Sequence, residues 1–224
     1  MGGAEREFRR ALQLSPNSIY VLEVYASYLR LRGRFDEALA ANQRMLELDQ
    51  LTWRFKLNRS MLYFLARRYQ EGVRVLHSVL ETNPVIQQYP DVYLHLSQIY
   101  AGWGKYVEAA QACDRVQELL RESDTPLVIG GCGWVFGLAG QQAKANRILA
   151  QVQAMSGKRW IDPYMVAAIY LGLGDYDRAM DWNEKAYVER SPLLLILKWG
   201  PGWDPLRGTP RFDSLLRRIG FPEN

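Results

Sequence analysis

Apolar residues recur along this chain with the spacing of amphipathic helices, and the whole arrangement returns about every 34 residues. Small residues mark matching places in five successive segments: Ala38, Gly72, Ala109, Ala145 and Ala179. Their separations are 34, 37, 36 and 34 residues. A repeat of this length predicts stacked copies of one helical unit rather than a single irregular core.

A second series of small residues lies twelve positions before the first: Ala26, Ser60, Ser97, Gly133 and Ala167. Three positions after each of these stands a large residue: Leu29, Tyr63, Tyr100, Phe136 and Tyr170. The turn that follows usually holds glycine: Gly33, Arg67, Gly104, Gly140 and Gly174. Antiparallel helices approach closely only where side chains are small, and glycine ends a helix in the left-handed conformation without strain. Each segment is therefore predicted to be a helical hairpin.

This combination of small, aromatic, glycine and proline positions resembles the tetratricopeptide repeat (TPR) family, whose period is 34 residues. The resemblance covers roughly Ala4–Arg190 and implies an all-α fold, a right-handed superhelical solenoid of antiparallel helix pairs. It implies a half repeat at residues 1–16, repeats from about 19, 53, 90, 126 and 160, a solenoid over 1–190 and a C-terminal capping segment at 191–224. The departures are Arg67 at a turn, Gly72 in place of alanine, and longer connections at "NPVIQQYPD" and "ESDTPL".

The segment "IGGCGWVFGLAG", residues 129–140, contains five glycines. It does not fit a dinucleotide-binding loop, because the third glycine of that motif comes one residue late and no strand precedes it. Gly130, Gly131 and Gly137 lie outside the repeat register, and each costs about 0.5–1 kcal/mol relative to alanine within a helix. Two explanations remain open: a neighbouring helix lies unusually close, or the backbone of a ligand approaches there.

The resemblance implies that the first helix of each repeat lines a concave groove. The candidate groove residues lie one turn apart on those helices: Tyr20, Glu23, Ser27, Arg54, Asn58, Met61, Asp91, His95, Gln98, Trp134 and Tyr164. Apolar anchors with sparse polar groups suit an extended peptide or a small helix. For Met61, Trp134 and Tyr164, packing between repeats is the alternative.

One TPR binding mode clamps a C-terminal carboxylate with lysine, asparagine and arginine. Only Arg54 and Asn58 have that chemistry here, and Glu23 and Asp91 would repel a carboxylate. Clamping of a C-terminal carboxylate is therefore not expected. His95 is interpreted as an ordinary helix histidine rather than a catalytic base.

Composition narrows the function classes. The formal charge of +4 comes from scattered basic residues, so no nucleic-acid partner is expected. Cys113 and Cys132 are predicted to be buried free thiols, and no metal site or cofactor is expected. No apolar run reaches the ~18 residues of a membrane span, and the first residues lack the apolar core of a signal peptide. We therefore expect a cytoplasmic protein without a membrane partner.

The two ends of the chain differ. The N-terminal half repeat leaves an apolar face that could support self-association. At the other end, Leu193–Leu197 is predicted to be a buried helical turn, and Thr209 is expected to cap a last helix opened by Pro210. The apolar stripe of that helix comprises Phe212, Leu215, Leu216 and Ile219, with Gly220 at its end.

The C-terminal part, from Trp160, resembles the ends of TPR regions in bacterial multidomain signalling proteins, on the residues "ERSP" and "WDPLRGTPRFDSLLRRIGFP". That resemblance implies a regulatory fragment of a larger protein, downstream of a kinase, a nucleotide cyclase or a winged-helix domain. No kinase, Walker or nucleophile-elbow motif occurs in this chain.

The leading hypothesis is a non-catalytic scaffold that binds a protein or peptide in the concave groove. The alternative is a small-molecule sensor with a pocket near residues 129–140. An enzyme is the third possibility, and it would need titratable groups such as Glu23, Asp91 and His95 to converge in one cleft.

Overall fold

The computed structural model describes residues 3–120 and 126–221, and within them the chain is all-α, as predicted. The α-helices are α1 Gly3–Leu14, α2 Ile19–Leu31, α3 Phe35–Leu48, α4 Trp53–Leu65, α5 Tyr69–Thr82, α6 Pro90–Gly102, α7 Tyr106–Leu119, α8 Pro126–Leu138, α9 Gln142–Met155, α10 Pro163–Gly172, α11 Tyr176–Val188 and α12 Pro210–Ile219. Short 3₁₀ helices occupy Pro84–Gln88, Pro192–Ile196 and Pro201–Leu206. Residues 121–125 of the predicted "ESDTPL" connection lie outside the described residues.

The chain divides into two compact units, Met1–Val79 and Leu80–Asn224. In the first unit α1 packs on α2, α2 on α3, and α3 on α4. Its core includes Leu29 and Ala38, both fully buried, with Leu62 against them. Tyr25 and Phe8 lie beside this core with ring centroids 5.7 Å apart.

In the second unit consecutive helices pair from α6 to α11, and α8 also packs on both α6 and α10. The small residues of the repeat lie at these helix contacts, and Ala109, Ala145 and Ala179 are fully buried. Cys113 and Cys132 are buried free thiols, as predicted. Small side chains therefore permit close helix packing where the repeat spacing places them.

The turns between paired helices have the predicted left-handed conformation. Gly33, Gly104, Gly140 and Gly174 have φ between 71° and 79°. Arg67 takes the same conformation, with φ 60°, although it has a Cβ atom. The sequence departure at this turn therefore leaves the backbone geometry unchanged and places a non-glycine residue in a costly region.

The helix α10 begins at Pro163 because the preceding residue, Asp162, caps it. The Asp162 carboxylate accepts the Tyr164 N–H at 2.9 Å and the Ser191 hydroxyl at 2.7 Å. Asp162 and Ser191 are both buried. The cap therefore links Ser191, which follows α11, to the first turn of α10.

The C-terminal segment packs on the last helix pair. The 3₁₀ helix Pro201–Leu206 contacts α10, and α12 contacts α11. Arg211 pairs with Asp181 at 2.7 Å, and Arg218 pairs with Glu184 at 2.5 Å. Apolar burial and ion pairs together hold this segment against the helices.

Details of the C-terminal segment follow the sequence in part. The helical turn predicted at Leu193–Leu197 is a 3₁₀ helix that buries Leu194, and Gly220 ends α12 with φ 92°. The cap predicted for Thr209 is wrong in its chemistry. The residue holds the N-cap position, but its hydroxyl donates to the Leu206 carbonyl at 2.7 Å and makes no capping bond.

Candidate peptide-binding groove

Four of the predicted groove residues line one cavity in the first unit. Glu23 and Ser27 come from α2, and Asn58 and Met61 come from α4. The cavity has a volume of about 180 Å³. The repeat register places these residues one turn apart on consecutive first helices, which brings them to one surface.

Arg30 also lines this cavity, although it is not among the residues predicted from the sequence. It lies one turn after Ser27 and two turns after Glu23 on α2, so helical spacing alone could have identified it. Burial lowers the pKa of the Arg30 guanidinium. Among the described residues neither the Arg30 side chain nor the Glu23 side chain has an ion-pair or hydrogen-bond partner, so the cavity holds a carboxylate and a guanidinium that do not neutralise each other.

Asn42 of α3 forms the back of the cavity and is fully buried. Its amide nitrogen donates to the Phe55 carbonyl at 3.0 Å, while its Oδ1 atom has no hydrogen-bond partner within the part of the chain that the structure describes. Buried polar atoms are seldom left unpaired, so this oxygen is an acceptor that a ligand could satisfy. The corresponding positions in the next repeats, four residues after the small residue, hold Leu76, Cys113, Leu149 and Asn183. Asn183 is likewise fully buried, and within the described residues neither its Nδ2 nor its Oδ1 atom has a hydrogen-bond partner.

The other two candidates of the first unit lie near the ends of these helices. Tyr20 is 75% exposed at the start of α2, and Arg54 is exposed at the start of α4. Neither residue lines the cavity.

In the second unit Asp91, His95 and Gln98 follow one another along one face of α6. Asp91 is exposed, and His95 and Gln98 are partly buried. Gln98 also lies against α8, since a Cβ atom at Gly131 would approach its Nε2 atom to 3.4 Å. These three side chains therefore share one face of α6.

Trp134 is part of the packing rather than of an open groove. It is 7% exposed, and a Cβ atom at Gly202 would meet its ring at 2.7 Å. The 3₁₀ helix Pro201–Leu206 covers it, so the packing alternative applies to this residue. The repeat spacing places Trp134 at a groove position. Spacing cannot show that a later segment of the chain folds over this side chain.

The C-terminal segment also covers Tyr164. The Trp203 indole N–H donates to the Tyr164 hydroxyl at 3.0 Å, and the two ring centroids are 5.6 Å apart. Burial raises the pKa of Tyr164 to about 12. The hydroxyl thus already accepts a hydrogen bond within the chain, and Tyr164 does not line the cavity.

The glycines of α8 are explained by neighbouring helices. A Cβ atom at Gly137 would overlap the Gly172 carbonyl group of α10 and lie 2.8 Å from the Leu173 nitrogen. At Gly133 it would lie 2.7 Å from Ile169, and at Gly131 it would lie 2.7 Å from Leu94. Protein atoms fill the space beside these glycines, which favours the packing explanation over an approaching ligand.

The titratable groups of the described ranges 3–120 and 126–221 form no metal-binding cluster. No group of three or more histidine, cysteine, aspartate or glutamate residues there could hold a metal ion. Glu23 lies in the first unit, whereas Asp91 and His95 lie in the second. The cavity between α2 and α4 can recognise a ligand through hydrogen bonds, because donors and acceptors surround its methionine side chains.

No model of a protein family matches the chain, and no curated protein matches it. Solved structures do. A tetratricopeptide repeat protein from Parabacteroides merdae is similar with a TM-score of 0.58 and 19% identity, covering 99% of this chain and 86% of that chain. A thermophilic TPR protein of Thermus thermophilus has a TM-score of 0.59 and 18% identity, covering 83% of this chain and 98% of that chain. PilF of Pseudomonas aeruginosa has a TM-score of 0.53 and 13% identity, covering 96% of this chain and 88% of that chain.

These similarities establish the structural class of the chain, which is an all-α protein built from helix-pair repeats. More narrowly, its fold is that of the TPR proteins. At identities below 20% the similarity defines the fold alone, because one repeat fold serves many functions. Among the described helices, none is long and apolar enough to cross a membrane.

Proposed function

We propose that this protein is a non-catalytic interaction module that binds an extended peptide segment of a protein partner along α2 and α4. The observation that supports this most directly is the cavity shared by Glu23, Ser27, Asn58 and Met61. These residues come from two helices and occupy the positions that the repeat spacing assigns to a groove. Their convergence on one cavity is what a groove-binding scaffold requires.

The polar groups of the cavity are complementary to a peptide main chain. Each peptide residue offers one N–H donor and one C=O acceptor. The Glu23 carboxylate and the Asn42 Oδ1 atom accept hydrogen bonds, the Arg30 guanidinium donates them, and the Asn58 amide does both. An extended segment presents alternating donors and acceptors and could engage them along the two helices.

The apolar part of the cavity sets the size of the side chain that enters it. Met45, Met61 and Leu62 line it together with the polar groups. Methionine adapts its shape to different apolar partners. A volume of about 180 Å³ suits one aliphatic side chain of the peptide rather than a large cofactor.

A peptide selection tests this function. The purified chain would be used to select binders from a random peptide library, and their affinity would be measured by isothermal titration calorimetry. We expect Asn58→Ala and Arg30→Ala each to weaken binding by about fivefold to tenfold, which is the effect of losing a hydrogen bond of about 1–1.5 kcal/mol. Circular dichroism would verify that helix content is retained.

Asn146→Ala is the matched control, since Asn146 is an exposed asparagine on α9 and does not line the cavity. It should leave peptide affinity unchanged. Equal affinity of wild type, Asn58→Ala and Arg30→Ala for the selected peptides would move the binding site away from α2 and α4 and overturn the proposal.

We also propose, from the resemblance of the C-terminal part to bacterial signalling proteins, that the module regulates a larger protein. The packing of the C-terminal segment on α10 and α11 supports its role as a cap of the repeats. Fusion of the chain to a reporter kinase or cyclase domain would test regulation. A peptide ligand that leaves the reporter activity unchanged would contradict it.

A further inference from the structure

A second groove lies on the opposite side of α4 from the peptide cavity. It has a volume of about 450 Å³ and lies between α3, α4 and α5. Lys56, Arg59 and Tyr63 line it from α4. At 100° per residue these three fall within one stripe, roughly 180° around the helix from Asn58 and Met61. The two surfaces are therefore separate.

The groove has an excess of positive charge. Its charged lining residues are Lys56, Arg59, Arg74 and Glu71. Glu71 is already paired with Arg68 at 2.9 Å. By contrast, in the part of the chain that the structure describes, none of the three lining cations makes an ion pair. Glu71 is thus paired mainly with a residue outside the groove, and Lys56 and Arg74 remain outside any ion pair.

The remaining lining residues are apolar or aromatic. Leu46 and Val75 are partly buried, and the Tyr63 ring is buried. Arg59 lies over that ring with its guanidinium carbon 5.4 Å from the ring centroid, and it also donates to the Leu39 carbonyl at 3.3 Å. The groove thus combines an apolar floor with cations, one of which is held in place.

We propose that this groove docks an acidic protein segment in which aspartate or glutamate residues alternate with aliphatic residues. Carboxylates of the segment would pair with Lys56 and Arg74, and its aliphatic side chains would cover Leu46 and Val75. The apolar floor favours such a segment over a nucleic acid, whose phosphate backbone gains nothing from aliphatic contacts. The proposal does not depend on the peptide cavity.

Fluorescence anisotropy of the purified chain with a labelled peptide of alternating glutamate and leucine tests the proposal. We expect binding that weakens with added salt, because exposed charge pairs are screened. The double variant Lys56→Ala/Arg74→Ala should lower the affinity by at least about tenfold. Arg59 is kept, because it also bonds to the Leu39 carbonyl and its loss could disturb the fold.

The control variant Arg6→Ala/Arg147→Ala removes the same total charge from exposed positions outside the groove. It should bind the peptide as the wild type does. Equal loss in both double variants, or equal binding of a peptide with glutamine in place of glutamate, would overturn the proposal. Tighter binding of a single-stranded oligonucleotide than of the acidic peptide would overturn it as well.

Discussion

The backbones of Gly137 and Gly172 meet directly, so that a Cβ atom on either residue would overlap the other helix. At Gly172 such an atom would lie 2.8 Å from the Trp134 Cα atom. The helices α8 and α10 therefore cross at a pair of residues that have no side chains. This contact explains why two successive repeats tolerate glycine within a helix despite its conformational cost.

Gly137→Ala should destabilise the protein by at least about 1–3 kcal/mol, because backbone atoms cannot move aside as a flexible side chain can. The urea unfolding midpoint would measure the effect. Gly157→Ala is the control, since a Cβ atom there meets nothing within 4 Å. A Gly137→Ala midpoint equal to that of the control would show that the α8–α10 crossing leaves room for a methyl group.

Ala145→Leu should also lower the free energy of unfolding, by about 1–3 kcal/mol, because Ala145 is fully buried at the close-contact position of α9. Ala154→Leu, at an exposed position of the same helix, is the matched control and should change stability little. Chemical denaturation of both variants measures the difference. An unchanged midpoint for Ala145→Leu would contradict the repeat register.

Arg67→Gly should raise the free energy of unfolding by up to about 1 kcal/mol. A non-glycine residue in the left-handed region costs about 1–2 kcal/mol, and part of the gain is offset by the greater freedom of glycine in the unfolded chain. Gly104→Ala, at the same turn position with φ 79°, should have the opposite effect. A lower thermal midpoint for Arg67→Gly would mean that contacts of the Arg67 side chain outweigh the strain.

Glu5 of α1 should make stability depend on pH. Its carboxylate lies 2.8 Å from Arg34 and 3.0 Å from Arg9, and these bonds, Arg34 first, hold the pKa of Glu5 below its usual range. The stabilisation is therefore fully present above the ordinary carboxyl pKa of about 4.3 and is lost as pH falls through the lowered pKa of the folded state.

Urea midpoints of wild type and Glu5→Gln, measured from acidic to neutral pH, test this dependence. The wild type should be more stable near neutral pH, and the difference should shrink as the solution is acidified below the ordinary carboxyl pKa. Glu7→Gln, at an exposed position of the same helix, should show no such change. A constant difference between wild type and Glu5→Gln at all pH values would rule out titration of Glu5 as its cause.

The repeat spacing predicts the helix pairs, the turn glycines and the buried small residues, because these depend on neighbours within one or two repeats. It does not predict the burial of Trp134, since that depends on a later segment folding back over α8. It also missed Arg30 and Asn42. Helical spacing could have indicated Arg30. Nothing in the sequence marks Asn42 as a binding residue, because its role depends on an unpartnered oxygen in a cavity lining.

Asn42→Leu separates binding from folding most clearly. The equivalent positions of two other repeats already hold leucine, at Leu76 and Leu149. The Phe55 carbonyl lies within α4, where the helix can supply a backbone donor, so loss of the Asn42 amide should leave no group stranded. Replacing a half-satisfied buried amide by an apolar side chain of similar size is often nearly neutral for stability.

We therefore expect Asn42→Leu to shift the unfolding free energy by less than about 1 kcal/mol while weakening peptide binding by at least about fivefold. Calorimetric titration with a selected peptide and urea denaturation would be run on the same preparation. The comparison variant is Leu76→Asn, which places a buried amide at the equivalent position of the next repeat and should destabilise the protein. If Asn42→Leu bound the peptide as tightly as wild type, the Asn42 oxygen would have no role in recognition and the cavity would bind through Glu23, Arg30 and Asn58 alone.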